Sequence, residues 1–422
     1  MLLNGSKLVI NDGTFKANNR GVRLFSQSSV VVNGGLFAAN AGSDFFAANL
    51  SLTEGSTGIV NDGTFQFGWY GIRADKFSSI KFNGGEMSVN IFNGLQAIDA
   101  PVVINDGSFS DNGFDGAFIC STDGEIKGGT FYRNGRNGVF LTSAAGQNAD
   151  GTFSFGAPAN LSISGGTFEK NGTAGLIVFG FSGNPSSATI TNGSFIGNGN
   201  ALNPDFSAGV IIAGGSKVKI SGGKFNGNEG SGVHVFQPKS SLVITGGDFT
   251  ANTDFGHGLK VESGGSAVID GGDFSKNFVG VRLGPAFTFS QEDVSGSAVI
   301  NGGTFNDVRA AVRAGYNSKC TINGGTFTSE VNGLEAIFNS TIDIHGGTFT
   351  APQYTFTANV GSEIHLYGKF DGHEVSNGPV TLTKDIRFAH RVDHRHAAKQ
   401  QPAANFHLPP WPGGENRFVP AN

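Results

Sequence analysis

One motif recurs through almost the whole chain: a glycine, any residue, then a large apolar side chain. The anchor runs from Phe15, Phe37 and Phe65 to Phe349 and Phe370, fifteen times in all, with Met87 standing in once for Phe. The glycine two places before the anchor is present every time, from Gly13 to Gly368. Ten of the fifteen units also carry Asn three places after the anchor, from Asn18 to Asn277. Six of the fourteen spacings equal 22, and most of the others are 22 plus an insertion. Such a period marks stacked units, none of which buries its apolar face alone.

Each unit reads as three short strands. The first resembles Ser241-Leu242-Val243-Ile244, with Leu242 and Ile244 inward. A Gly-Gly or Asp-Gly turn follows, where glycine accepts positive φ without a Cβ clash. The second strand is Thr-Phe-x with Phe inward. The third resembles Gly280-Val281-Arg282-Leu283, with Val and Leu inward. No window within the coils has helical periodicity, which excludes the helical solenoids. Stacking piles Phe on Phe inside and Asn on Asn at the bend, where amides hydrogen-bond along the pile. Parallel crossovers wind right-handed by default. The expected fold is all-β: a right-handed parallel β-helix (β-solenoid) of about 15 coils, ~22 residues per coil. It covers residues 1–383, and residues 384–422 are expected to be a Pro/His-rich tail, disordered or loosely docked.

Composition agrees with many tight turns and one repeated core position. Glycine supplies 67 of 422 residues, about twice the usual share, and Phe numbers 39 against 5 Tyr and 2 Trp. A net charge of −5 gives no general attraction to nucleic acid or anionic membranes. No apolar run approaches the ~18 residues of a spanning helix, so no transmembrane segment is expected. The first residues, MLLNGSKLVINDGTF, show neither a basic n-region nor an apolar h-region, so no signal peptide is visible. Cys120 and Cys320 lie roughly 40 Å apart at ~4.8 Å per coil, too far for a disulfide.

The unit Gly166-Thr167-Phe168-Glu169-Lys170-Asn171-Gly172 resembles the short GG and FxxN repeats of polymorphic outer-membrane adhesins. More broadly, the chain resembles the right-handed parallel β-helices that include pectin and pectate lyases. The resemblance spans roughly residues 1–383. It implies an extracellular or cell-surface location and a polysaccharide or cell-surface component as partner. The expected function is a non-catalytic, adhesin-like or structural rod. A polysaccharide lyase or glycoside hydrolase on the same fold is the alternative.

Three insertions fall just after the third strand, roughly at 142–159, 180–187 and 284–295, each with a nearby Phe-x-Phe. The outward position of that strand reads Phe118, Phe140, Ile177, Ile211, then His234, Lys260, Arg282, Arg313. Four apolar residues in a row would form an exposed patch, so the first two loops are expected to fold back over it. The basic row His234, Lys260, Arg282 and Arg313 is the leading ligand-binding candidate. Like charges ~5 Å apart repel unless an anionic polymer or nearby carboxylates compensate. Glu262 and Glu335 are the nearest such carboxylates, and side chains splaying into solvent is the plainer reading.

Asp248 and Asp273 share an outward slot on adjacent coils, a spacing compatible with a carboxylate pair or a Ca²⁺ site. Slots that vary among Thr, Ser, Asp, Glu and Lys produce such pairs by chance, and no cofactor or metal is otherwise expected. Asn252-Thr253-Asp254 and Gly256-His257-Gly258 contain strings found in polygalacturonases, without the Asp-Asp and R-x-K partners. His257 here precedes the glycine of an ordinary strand. The tail histidines His390, His394, His396 and His407 lack acidic or cysteine partners at ligand spacing.

Overall fold

The computed structural model describes residues 2–42, 47–147, 153–181, 183–252, 255–285, 295–351, 354–358, 361–370 and 373–375. The tail 384–422 and its histidines lie outside the described residues. The three strands of each unit stack into three parallel sheets that wrap one core. The first strands form a 15-stranded sheet, and the third strands, joined at the far end by the second strand Thr348–Thr350, form a 16-stranded sheet. The second strands form a nine-stranded sheet from Thr14–Lys16 to Lys224–Asn226. Single bridges Lys224↔Asp248↔Asp273↔Thr304 carry it further.

Register follows from the repeat: each coil sets equivalent residues against each other, so a slip would turn every inward side chain outward. Ile163, Ile190, Ile220, Ile244, Ile269, Ile300, Ile322 and Ile344 pair in one unbroken column. The anchor phenylalanines form the second. Neighbouring rings from Phe109 to Phe349 stack 4.4–4.9 Å apart and within 10° of parallel. The column lapses only at Met87. There Phe82, on the first strand, takes a position that is Ile104 in the next coil and tilts onto Phe109 at 5.2 Å. The turn before each anchor demands glycine. Gly166 has φ of +99°, and a Cβ there would meet the Gly129 carbonyl oxygen at 3.2 Å.

From Asn90 to Asn277 the asparagine ladder is buried and continuous. Asn134 Nδ2 donates to Asn171 Oδ1 at 3.0 Å, and Asn171 Nδ2 donates to Asn198 Oδ1 at 2.9 Å and to the Phe131 carbonyl at 3.0 Å. Each amide therefore satisfies the bend of one coil and ties it to the next. Asn171→Ala should cost about 2–3 kcal/mol, because it strands buried groups on both neighbouring coils. The check is a urea midpoint with amide exchange, which should quicken in the coils of Asn134 and Asn198. The one gap within the motif, Gly68, is filled from elsewhere. Asn49 accepts from Asn40 Nδ2 at 2.9 Å, and a Cβ on Gly68 would meet its Nδ2 at 2.8 Å.

After Asn277 the motif loses its asparagine, as the sequence indicated, and the backbone responds. Second and third strands fuse into the continuous strands Thr304–Gly315 and Thr326–Ile337. Without an amide to satisfy a bend, the chain runs straight and Val308 packs inward. The fifteenth unit departs from the expected pattern. Gly368–Phe370 pairs antiparallel with His373–Val375 and does not continue the second-strand stack.

Candidate functional site

The third-strand sheet carries its chemistry on its outer face. One outward column runs in unbroken register from Arg73 and Gln96 through Phe118, Phe140, Ile177 and Ile211. It continues through His234, Lys260, Arg282 and Arg313 to Glu335. A parallel column at the strand starts includes Asn137, Ala174, Ala208, Ser231, His257 and Val279. The four basic residues are thus brought together as their spacing indicated.

The row is not a solvated face, which corrects one expectation. His234, Lys260 and Arg282 are all buried. Insertions at both strand ends border this face. Before the strand, residues 199–207 carry a 3₁₀ turn, Pro204–Phe206, whose Asp205 reaches Lys260 Nζ at 3.2 Å. Phe206 packs edge-on against Phe236. After the strand, Ala144–Gln147 and Phe153–Phe155 pair as a hairpin. The next insertion is tied to it: Phe181 N donates to Ser143 Oγ at 2.9 Å, and Asn184 Nδ2 to the Gly156 carbonyl at 3.1 Å. We refer to this bordered outer face as the trough.

The apolar stretch does not stand free in solvent. Phe118, Phe140 and Ile177 are half-buried and Ile211 is buried. Phe118 meets Phe140 edge-on at 5.6 Å, and Ile177 packs with Ile211, Ala174, Ala208 and Phe236. Of the two loops expected to fold over this stretch, the side chains of Phe153 and Phe155 lie outside those described, and Phe179 and Phe181 meet each other at 6.2 Å.

The charged stretch is a connected network. Glu262 Oε1 accepts from His234 Nε2 at 2.8 Å and from Lys260 Nζ at 3.2 Å. Burial would raise the Glu262 pKa, but the His234 hydrogen bond and the charges beside it win and hold it at about 2. Arg313 pairs with Glu335, which also accepts from Asn332. Both carboxylates singled out in the sequence do compensate the row. Arg282 is different. Its Nε donates to the Gly284 carbonyl at 3.1 Å and its Nη1 lies 3.3 Å from His257 Nε2. Among the described residues no carboxylate comes within ion-pair distance of it. Burial, then neighbouring Arg313, pulls its pKa down to about 10.

His257 belongs to this cluster, which the sequence reading missed. Burial, then Arg282, Lys260 and Arg313, lower its pKa well below the usual value, so the ring is neutral at pH 7. With Nε2 accepting from Arg282, its proton sits on Nδ1, a buried atom without a partner. Asp205 was missed for a plainer reason: it lies 55 residues from Lys260 on an insertion whose length alone was visible.

Asp248 and Asp273 do pair in register, but their oxygens turn to different neighbours. Asp248 accepts from Asn226 Nδ2 at 3.3 Å, and Asp273 from Ser275 N at 3.0 Å and from the Ser275 hydroxyl. Among the described residues no group of three or more His, Cys, Asp or Glu is arranged to hold a metal. No helix among them is long and apolar enough to cross a membrane. Cys120 and Cys320 are both buried free thiols.

Residues 179–349 match the family described as the right handed beta helix region. No curated protein and no solved structure matches the chain. That match and the unbroken parallel stacks of strands lead to one conclusion: the chain is a right-handed parallel β-helix repeat protein.

Proposed function

We propose that the protein is a non-catalytic, secreted or surface-exposed β-solenoid, adhesin-like, that binds an acidic polysaccharide along its trough. The observation that carries this reading is the surplus of donors at Arg282 and His257. Among the described residues the buried Arg282 guanidinium meets no carboxylate and the His257 Nδ1–H no acceptor, and both lacks are costly in a site of low dielectric. A carboxylate or sulfate on a sugar ring supplies what both lack, and one-coil spacing along the trough suits a linear polymer. Lys260 and Arg313, already paired, add positive field rather than direct contacts.

The test is retention on immobilised polygalacturonate against rising salt. Wild type should bind and elute in a salt-dependent manner, and Arg282→Gln should weaken binding by about 10–100-fold, the loss of one charge-assisted contact. Equal elution of the two proteins would overturn the reading.

A second reading, a polysaccharide lyase or glycoside hydrolase, draws on one observation: the His257 ring is neutral, so its Nε2 lone pair can take a proton once Arg282 turns away to a bound substrate. The same material distinguishes them. Growth of unsaturated or reducing ends during incubation marks an enzyme, and binding with neither marks an adhesin.

A further inference from the structure

The other end of the trough has the opposite imbalance. Asp115, on the fifth coil, is buried with its carboxylate facing Asn137, whose Nδ2 donates to Oδ1 at 2.8 Å. That donation fixes the amide orientation, because the reverse would set oxygen against oxygen. Asn137 Oδ1 is then left buried without a donor, in a residue only 3% exposed. The polar floor continues through Asn93, whose Oδ1 accepts from Asp115 N at 3.0 Å and whose Nδ2 donates to Gln96 Oε1 at 3.2 Å.

Aromatic rings border these groups. Trp69, Phe92 and Phe114 follow one another at 5.1 and 4.9 Å along the trough edge. Arg136 ends the row, its guanidinium 4.0 Å over the Phe114 ring, and it forms no ion pair with Asp115. Phe118 and Phe140 stand on the next outward column. Arg136 is exposed, and its charge acts on the Asp115 carboxylate. A surplus of acceptors beside apolar rings is the complement of a sugar, which offers hydroxyl donors and a C–H face.

We propose that Asp115 and Asn137, beneath Phe114 and Arg136, form a subsite that accepts hydroxyl hydrogen bonds from an uncharged sugar residue. It deepens the polysaccharide reading, because it lies in the same trough about 29 Å from Arg282, six coils at ~4.8 Å each. The two ends then select a polymer that carries neutral as well as acidic sugars. Ionised Asp115 is the better acceptor. Burial pushes its pKa up to about 6 against the lowering effect of Asn137 and Arg136. Arg136 is the charged group that faces it. The neighbouring third strands present Gln96 on one side and Phe140 on the other.

The experiment is calorimetric titration of the full chain with three neutral probes: cellohexaose, laminarihexaose and maltohexaose. At least one should bind at pH 7.5, and its affinity should fall roughly tenfold between pH 7.5 and pH 5 as the carboxylate is protonated. Asp115→Asn should weaken that binding at least tenfold while elution from polygalacturonate stays unchanged. If Asp115→Asn does not fold, the half-buried Phe114→Ala takes its place, with the same expected loss. Absence of binding by all three probes at millimolar concentration overturns the subsite and leaves the acidic site standing. So does neutral-probe binding that Asp115→Asn, or its substitute, leaves unchanged. Failure of wild type on polygalacturonate overturns the acidic site alone.

Discussion

Phe168→Ala will destabilise the solenoid by about 3–5 kcal/mol, the range for deleting a fully buried aromatic side chain and leaving a cavity. Phe168 is wholly buried, with Phe131 stacked on one face at 4.8 Å and Phe195 on the other at 4.4 Å. Removing the ring breaks two stacking contacts as well as the transfer term. Because each coil is held by its neighbours, the loss will be local before it is global. Amide exchange should rise first in the coils anchored by Phe131, Phe168 and Phe195, ahead of those near Phe327. Phe77→Ala is the control: that ring is 85% exposed, and its removal should shift stability by less than about 0.5 kcal/mol. Similar losses at Phe168 and Phe77 would contradict the stacked column.

Glu262→Ala should be comparably harmful, about 3–5 kcal/mol, because it leaves His234 and Lys260 buried without their shared carboxylate. Glu262→Gln keeps an acceptor for His234 and should cost less. The pH profile separates charge from packing. A folded pKa of about 2, below the usual value of 4.5, means the native state favours the ionised form. Its contribution is complete above pH ~4.5 and is lost as pH falls toward ~2, on the order of 3 kcal/mol in all. Wild type should lose that increment across this window, and Glu262→Gln should not. Urea midpoints at several pH values from 6 to 2 read the difference directly. Parallel profiles for the two proteins would show that Glu262 carries no such linkage.

How much could be read in advance depended on whether a feature repeats. The Phe column, the Asn ladder and the alignment of His234, Lys260, Arg282 and Arg313 all follow from counting along the chain, since a stack converts equal sequence position into spatial adjacency. Even the loss of the ladder after Asn277 was visible as a change of residue. Features that occur once escaped. Asn49 fills the place vacated at Gly68 from outside the motif, and Phe82 takes up room beside Met87 from another strand. The amide column of Asn11, Asn33, Asn61, Asn83 and Asn105 at the outer turn, bonded at 2.6–2.8 Å, was open to the same counting yet went unnoticed.

The candidate site divides in the same way. Sequence alone determined the coil, its register, its core and which side chains share an outward column, because a 22-residue period leaves the backbone one economical way to bury its phenylalanines. Whether that column meets water was decided by tertiary structure. Insertions at both strand ends border the face and bring Asp205 to Lys260, while the stacking of adjacent coils sets His257 against Arg282 and Asp115 beside Asn137. Burial and charge balance depend on where non-repeating segments fold, and no local pattern encodes that.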